Sequence, residues 1–191
     1  QRFLGRIEEQ AERLHLLIMD MLMLARIESD QQGFETVSVD VPEVVRACIE
    51  SQRQAAEAKR IALHVEPSGE SDETSCRVRA DREGLREILD NLVDNAIKYT
   101  PEGGSVTVAW RANGALAQIA VRDTGIGIKP QDQQRVFERF YRVDKARSRE
   151  VGSTGLGLSI VKHLAQAFGG KVGVESTPES GSTFTVELPV G

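Results

Sequence analysis

The sequence predicts an α/β fold: a two-layer sandwich in which helices cover one face of a mixed sheet, preceded by a long coiled-coil-type helix. Three observations predict it. Apolar residues recur at heptad spacing through the N-terminal stretch. Short β-patterned segments then alternate with longer helical ones. Glycine and proline clusters mark the joints between them.

Arg2 to Ser29 reads as one helix. Leu4, Ile7, Ala11, Leu14, Ile18, Met21 and Ala25 alternate spacings of three and four, and Leu17 and Leu24 widen the stripe. Glu8, Glu9, Glu12 and Arg13 take the opposite face. A stripe this wide wants a partner helix, so a dimeric bundle is preferred to a helix packed on its own domain. Ser29 to Thr36 is polar, contains Gly33 and reads as a linker.

Val37, Val39 and Val41 alternate as in a short strand, and Pro42 opens a helix to about Lys59. Ile61–Val65 and Cys76–Arg79 read as strands, with a polar loop from Pro67 to Ser75 between them. Asp81 can cap a helix reaching Tyr99, which Thr100-Pro101-Glu102-Gly103-Gly104 stops. Ser105–Arg111 and Leu116–Arg122 form a hairpin with Asn113-Gly114 as its turn. Pro130 opens a helix to about Phe140, and a charged segment follows from Arg142 to Glu150. Gly155–Phe168 is a helix ended by Gly169-Gly170. Lys171–Ser176 and Ser182–Leu188 are the last strands.

The chain has 191 residues, 40% of them hydrophobic, enough for a packed core. Aromatics are only 5%, so Leu, Ile and Val must do most of the packing. The net charge is −5 and the basic residues form no block, which argues against a nucleic-acid surface. Cys48 and Cys76 stand far apart, with no CxxC pair, and read as buried reduced thiols. No apolar run approaches the roughly 20 residues of a bilayer-crossing helix, and no signal peptide is visible. Gln1 is not a natural start, so the chain reads as a soluble piece of a longer protein.

Four stretches carry chemistry. In Asn91-Leu92-Val93-Asp94-Asn95-Ala96-Ile97-Lys98-Tyr99, helical spacing puts Asn91, Asn95 and Lys98 on one face. An Asn oxygen suits Mg²⁺, and a lysine one turn later suits a phosphate. Asp123-Thr124-Gly125-Ile126-Gly127-Ile128 leaves a strand with a carboxylate able to accept from an adenine amino group, and its glycines allow close backbone approach. Phe137-Glu138-Arg139-Phe140-Tyr141-Arg142 anchors a short helix, and the charged residues beyond it (Asp144, Lys145, Arg147, Ser148, Arg149) read as a mobile lid. Gly152-Ser153-Thr154-Gly155-Leu156-Gly157-Leu158-Ser159 runs into a helix whose free N–H groups suit phosphate. Alone, each describes ordinary turns or solvated helix faces. Neither the P-loop spacing nor a dinucleotide-binding unit is present.

In this order and at these distances the stretches resemble the N, G1, F and G2 boxes of sensor histidine kinases of two-component systems. Gly181-Ser182-Thr183-Phe184 resembles the last glycine motif of that family. The resemblance covers essentially the whole chain and implies the Bergerat ATP-binding fold shared with gyrase B, Hsp90 and MutL. It divides the chain into residues 1–30, resembling the second helix of a dimerisation domain, and 31–191, the catalytic ATP-binding domain. The ATP-binding residues it implies are Asn91, Asn95, Lys98, Tyr99, Asp123, Gly125, Gly127, Arg142, Gly155, Leu156, Gly157 and Thr183. Asn95 would bind Mg²⁺; Lys98 and Arg142 would meet phosphates; Tyr99 would pack by the nucleotide. Asp123 would read adenine, with Gly125 and Gly127 flanking the base and Thr183 beneath Asp123. Gly155 and Gly157 would carry the lid's hinge and phosphate contacts.

The implied function is transfer of the γ-phosphoryl of Mg-ATP to a histidine, for relay to an aspartate of a response regulator. Implied partners are an H-box helix, a response regulator and a second copy through the N-terminal helix, with the domain in the cytoplasm and most of the family membrane-spanning. One departure is large. His15, His64 and His163 each lack the acidic neighbour of an H box and read as structural. The first helix and its H box are expected upstream of Gln1, so this chain is expected to bind ATP without phosphorylating itself. A gyrase-type ATPase is the first alternative; it would have a glutamate where Asn91 stands. An anti-sigma serine kinase fits poorly with the heptad helix. A non-catalytic dimerisation module fits poorly with intact nucleotide motifs.

Overall fold

A computed structural model describes residues 2–28, 34–67, 76–143 and 154–191. The linker core, the polar loop and the lid residues Asp144–Ser153 named above lie outside the described residues.

Helix α1 spans Arg2–Glu28. Of its expected seam, Ile7, Leu14, Ile18 and Met21 are exposed. The helix packs instead by a different stripe, in which Leu24 is buried and Leu17, Met23 and Ile27 lie against the core. Leu17 and Leu24, expected to widen the seam, therefore face the domain.

Strand β1 (Val37–Asp40) leads into helix α2 (Val41–Ala58). Asp40 caps that helix by accepting from the Glu43 N–H at 2.9 Å. Strands β2 (Ala62–Pro67) and β3 (Arg77–Ala80) precede helix α3 (Arg82–Tyr99). Asp81 caps α3 as expected, accepting from Gly84 N–H at 2.8 Å. Strands β4 (Ser105–Asn113) and β5 (Leu116–Asp123) form the hairpin. Asn113 pairs with Leu116, so the turn is Gly114-Ala115, one residue later than expected. Gly114, at φ 62°, supplies the left-handed first position that a two-residue turn of this kind needs.

The expected helix from Pro130 to Phe140 is broken. Helix α4 covers only Pro130–Gln133, and a 3-10 turn covers Arg135–Phe137. Gln133 spends its side-chain amide on the carbonyls of Ile128 and Ser176, and Phe140 reverses the chain at φ 61°. A segment this short gains too little from helical bonds to resist such ties. Helix α5 spans Gly157–Ala167, and strands β6 (Lys171–Thr177) and β7 (Gly181–Pro189) close the chain.

The main sheet runs β2-β4-β5-β7-β6, with β2 and β4 parallel and the other pairs antiparallel. Strands β1 and β3 form a separate two-stranded sheet. Val106, Val108, Ile119, Val121, Val186 and Leu188 alternate inward from the main sheet. They meet Leu85, Leu89, Leu92 and Val93 of α3 and Ile160 and Leu164 of α5 in one core. Cys48 and Cys76 are buried free thiols, and burial pushes both up from the usual thiol range. Among the described residues no helix is long and apolar enough to cross a membrane.

Candidate functional site

Helix α3, the end of β5, the α4 segment and the start of α5 surround a cleft with a cavity volume of about 170 Å³. Its floor is apolar: Ala96, Ile126, Ile128, Val136 and Phe184 line it. Its polar lining is Asn91, Asp94, Asn95, Lys98, Asp123 and Arg142. A concave, largely apolar cleft with a few polar groups is the usual form of a small-molecule site.

Asp123 lines the cleft and is buried, 6% exposed. The N–H groups of Gly125 and Ser182 both donate to its Oδ1, at 2.8 and 3.2 Å. Its Oδ2 has no hydrogen bond among the described residues and remains an acceptor for a ligand's N–H. Burial pushes the carboxyl above the usual range, and the two N–H groups pull it partly back. Gly125 makes this possible: a Cβ there would lie 2.6 Å from Asp123 Oδ1 and 2.7 Å from the Tyr99 carbonyl.

Along α3, Asn91, Asn95, Lys98 and Tyr99 all line the cleft, as helical spacing requires. Asn91 Nδ2 donates to Glu87 Oε1 at 2.7 Å and to the Glu87 carbonyl at 2.9 Å. Its Oδ1 is thereby turned toward Gly157, where an added Cβ would come within 2.3 Å of it. Lys98 pairs with Asp94 at 2.6 Å. The base of the helix is fastened by Lys59, whose ammonium donates to the carbonyls of Ile97, Lys98 and Thr100 at 2.7, 2.8 and 2.9 Å.

Opposite α3, Gly155 turns the chain at φ 78° and its carbonyl accepts from Phe140 N–H at 2.8 Å. The second glycine stretch and the F-box segment are thus tied together beside the cleft. Tyr141, not among the residues expected from the sequence, lines the cleft. Its hydroxyl donates to Asp132 at 2.7 Å, and the Arg135 guanidinium lies over its ring.

The structure brings Asn91, Asn95, Lys98, Tyr99, Asp123, Gly127, Arg142, Gly155 and Gly157 together at the cleft. Gly125 acts from behind by shaping Asp123. Leu156 is fully buried in the core and does not line the cleft. Thr183 is corrected: it pairs with Arg122 and Glu175, while Ser182 pairs with Asp123 and lines the cleft. Successive strand residues face opposite ways, so only one of the two can face inward. Ser182 is one residue away in the same motif, and its parity with buried Phe184 is the signal that finds it.

Residues 80–191 match the family described as histidine kinase-, DNA gyrase B-, and HSP90-like ATPase. The sensor-like histidine kinase SenX3 of Mycobacterium tuberculosis is 41% identical over 189 residues, covering 99% of this chain and 45% of that protein. A mycobacterial sensor histidine kinase structure, MprB, has a TM-score of 0.67 at 30% identity and covers 81% of this chain and 97% of that one. The chain belongs to the sensor histidine kinase family. The cleft is that of its ATP-binding catalytic domain, a Bergerat-type α/β sandwich. WalK of Bacillus subtilis is 37% identical over 98% of this chain and 30% of that protein. Full-length ShkA in complex with AMPPNP superposes with a TM-score of 0.83 at 31% identity, over 98% of this chain and 38% of that one. The chain spans less than half the length of the relatives SenX3 and WalK.

Proposed function

We propose that this chain binds Mg-ATP in the cleft and presents its γ-phosphoryl to a histidine outside the described residues, for relay to a response-regulator aspartate. The observation that carries the reading is Asp123. Its one unbonded oxygen faces an apolar slot, the arrangement that recognises an adenine amino group beneath a flat ring. Phosphates would then run toward Lys98, Arg142 and the N-terminus of α5, where free N–H groups favour negative charge.

The residues fit a magnesium ion held largely by phosphate oxygens. Among the described residues no cluster of three carboxylate, His or Cys ligands exists. The Asn91 amide presents its oxygen, and Asn95 beside it would be the direct ligand. The ion would supply charge neutralisation at the β- and γ-phosphates. The chain's own work is to bind, orient and exclude water. At the position of a gyrase-type general base stands Asn91, which takes no proton.

We further assign α1 as the second helix of a dimerisation domain, residues 1–30, with 31–191 as the catalytic unit. The exposed Ile7, Leu14, Ile18 and Met21 support a second copy or a partner helix on that face. A mass in sedimentation that stays monomeric across concentrations would refute the second copy. A response regulator is the proposed downstream partner; the histidine kinase ThkA has been crystallised in complex with the response regulator protein TrrA.

The test is calorimetric titration with a non-hydrolysable ATP analogue, with and without Mg²⁺, on the parent and on Asp123→Asn. Saturable, metal-strengthened binding that disappears in the variant is expected. Absence of binding in the parent would move a non-catalytic dimerisation module to the front.

A further inference from the structure

Helix α1 does more than lie against α5. One turn before buried Leu24, the Asp20 carboxylate reaches the second glycine stretch, where its Oδ2 accepts from the Thr154 hydroxyl at 2.6 Å. Thr154 lines the cleft, and its Oγ1 also accepts from the Leu156 N–H at 3.2 Å, at the start of α5. Asp20 is half-buried there. The Lys98 ammonium and the Asp94 carboxylate act on it through space, and Asp20 in turn acts on Glu87. The carboxylate therefore stands among the groups that would receive phosphate: Thr154, Lys98 and the N-terminus of α5.

We propose that Asp20 is a built-in brake on nucleotide binding: α1 delivers its negative charge to the phosphate end of the cleft and engages Thr154. The proposal rests on reading the cleft as a nucleotide site. Like charges a few ångströms apart at a half-exposed surface repel measurably, even with solvent screening. The carboxylate also competes for the Thr154 hydroxyl, which a phosphate oxygen would otherwise accept from. Displacement of α1 from this position removes the charge and frees the hydroxyl at once, which couples the helix to the cleft without any contact between α1 and the base.

The test uses the whole chain with Asp20→Asn, which keeps an oxygen to accept from Thr154 and removes only the charge. Asp20→Glu keeps the charge. Calorimetry with an ATP analogue plus Mg²⁺ and, separately, with adenosine reads the effect. Binding of the analogue should tighten about fivefold in Asp20→Asn and stay near the parent value in Asp20→Glu. Adenosine, which carries no phosphate, should bind all three chains alike. An unchanged or weaker analogue affinity in Asp20→Asn overturns the brake, as does an equal gain for adenosine. Binding in the parent with equal affinity in the variant sinks the brake alone; no binding in any chain sinks the nucleotide reading with it.

Discussion

Glu87 and Asn91 form a one-turn clamp on α3: the Asn91 amide gives both of its N–H bonds to Glu87, to the side chain and to the backbone carbonyl. This fixes which end of the amide meets the cleft. Glu87 is itself half-buried, and burial raises its carboxyl above the usual range while the Asn91 bond opposes that. Glu87→Ala should let the amide rotate and weaken Mg²⁺-dependent analogue binding about fivefold, the worth of roughly one hydrogen bond. Glu87→Gln keeps an acceptor and should restore most of it. Equal losses with and without the metal would show that Glu87 merely supports the fold.

Asp123 gives a pH dependence with a definite sign. Its carboxyl titrates above 3.8 because burial disfavours the charged form. A carboxyl raised in this way adds stability that is complete below its unfolded pKa and is lost as pH rises through the folded one. Asp123→Asn removes that loss, so its melting temperature relative to the parent should be higher at neutral pH than in acid. Nucleotide affinity of the parent should move the other way, falling on acidification as the acceptor is protonated. Thermal scans and titrations at the same pH values separate the two effects.

Lys59 is the fastening of the cleft's principal helix. Three charge-assisted bonds, to the carbonyls of Ile97 and Lys98 in α3 and of Thr100 just after it, hold the turn that carries Lys98 and Tyr99. The Tyr99 carbonyl in turn accepts from Ile126 N–H at 3.3 Å. Lys59→Met should cost about 2–3 kcal/mol in urea denaturation, since three carbonyls lose a charged donor. A loss below about half a kcal/mol would mean that water replaces the ammonium freely.

Gly127 and Gly103 share a left-handed backbone but not a neighbourhood. Gly127, at φ 66°, would place a Cβ 2.0 Å from the Thr177 carbonyl oxygen. Gly103, at φ 82°, would meet nothing within 4 Å. Gly103→Ala should cost about 1 kcal/mol, the conformational penalty alone. Gly127→Ala should cost about 2–4 kcal/mol, because backbone must also shift. Similar melting temperatures for the two variants would contradict the close approach.

None of the three histidines carries the acidic neighbour of an H box in the sequence. His163 Nδ1 lies 2.6 Å from the Ser159 carbonyl and its Nε2 lies 3.3 Å from Arg139, while His15 and His64 are exposed and lack an acidic neighbour in sequence. Incubation with γ-labelled ATP should leave the chain unlabelled at acid-labile sites. A separately supplied H-box helix is the substrate to try beside it.

The fold was legible because its signals are local. Period-two alternation in β4, β5 and β7 and the caps at Asp40 and Asp81 need only near neighbours. The failures are long-range or a matter of parity. Gln133 bonds to Ser176, far along the chain, and that tie breaks a helix that Pro130–Phe140 would otherwise form. Thr183 and Ser182 differ by a single step in strand phase, which a motif does not encode. The site's helix face was readable from spacing alone, and Glu87, four residues before Asn91, was within reach of the same rule. The Asp20–Thr154 bond spans most of the chain and had no sequence signal.

The two N–H groups that converge on Asp123 have a mechanical consequence. They belong to the loop after β5 and to β7, so the Asp123 carboxylate is held by the sheet's own backbone and would give up little freedom if a ring docked on it, as proposed. The other side of the cleft is lined by residues of α3 and the start of α5, and α1 reaches it through the Asp20–Thr154 side-chain bond. On the proposed reading, discrimination among bases and responsiveness to the position of α1 would therefore reside in different materials. A shift of α1 would then change the grip on phosphate while leaving the choice of base unaltered.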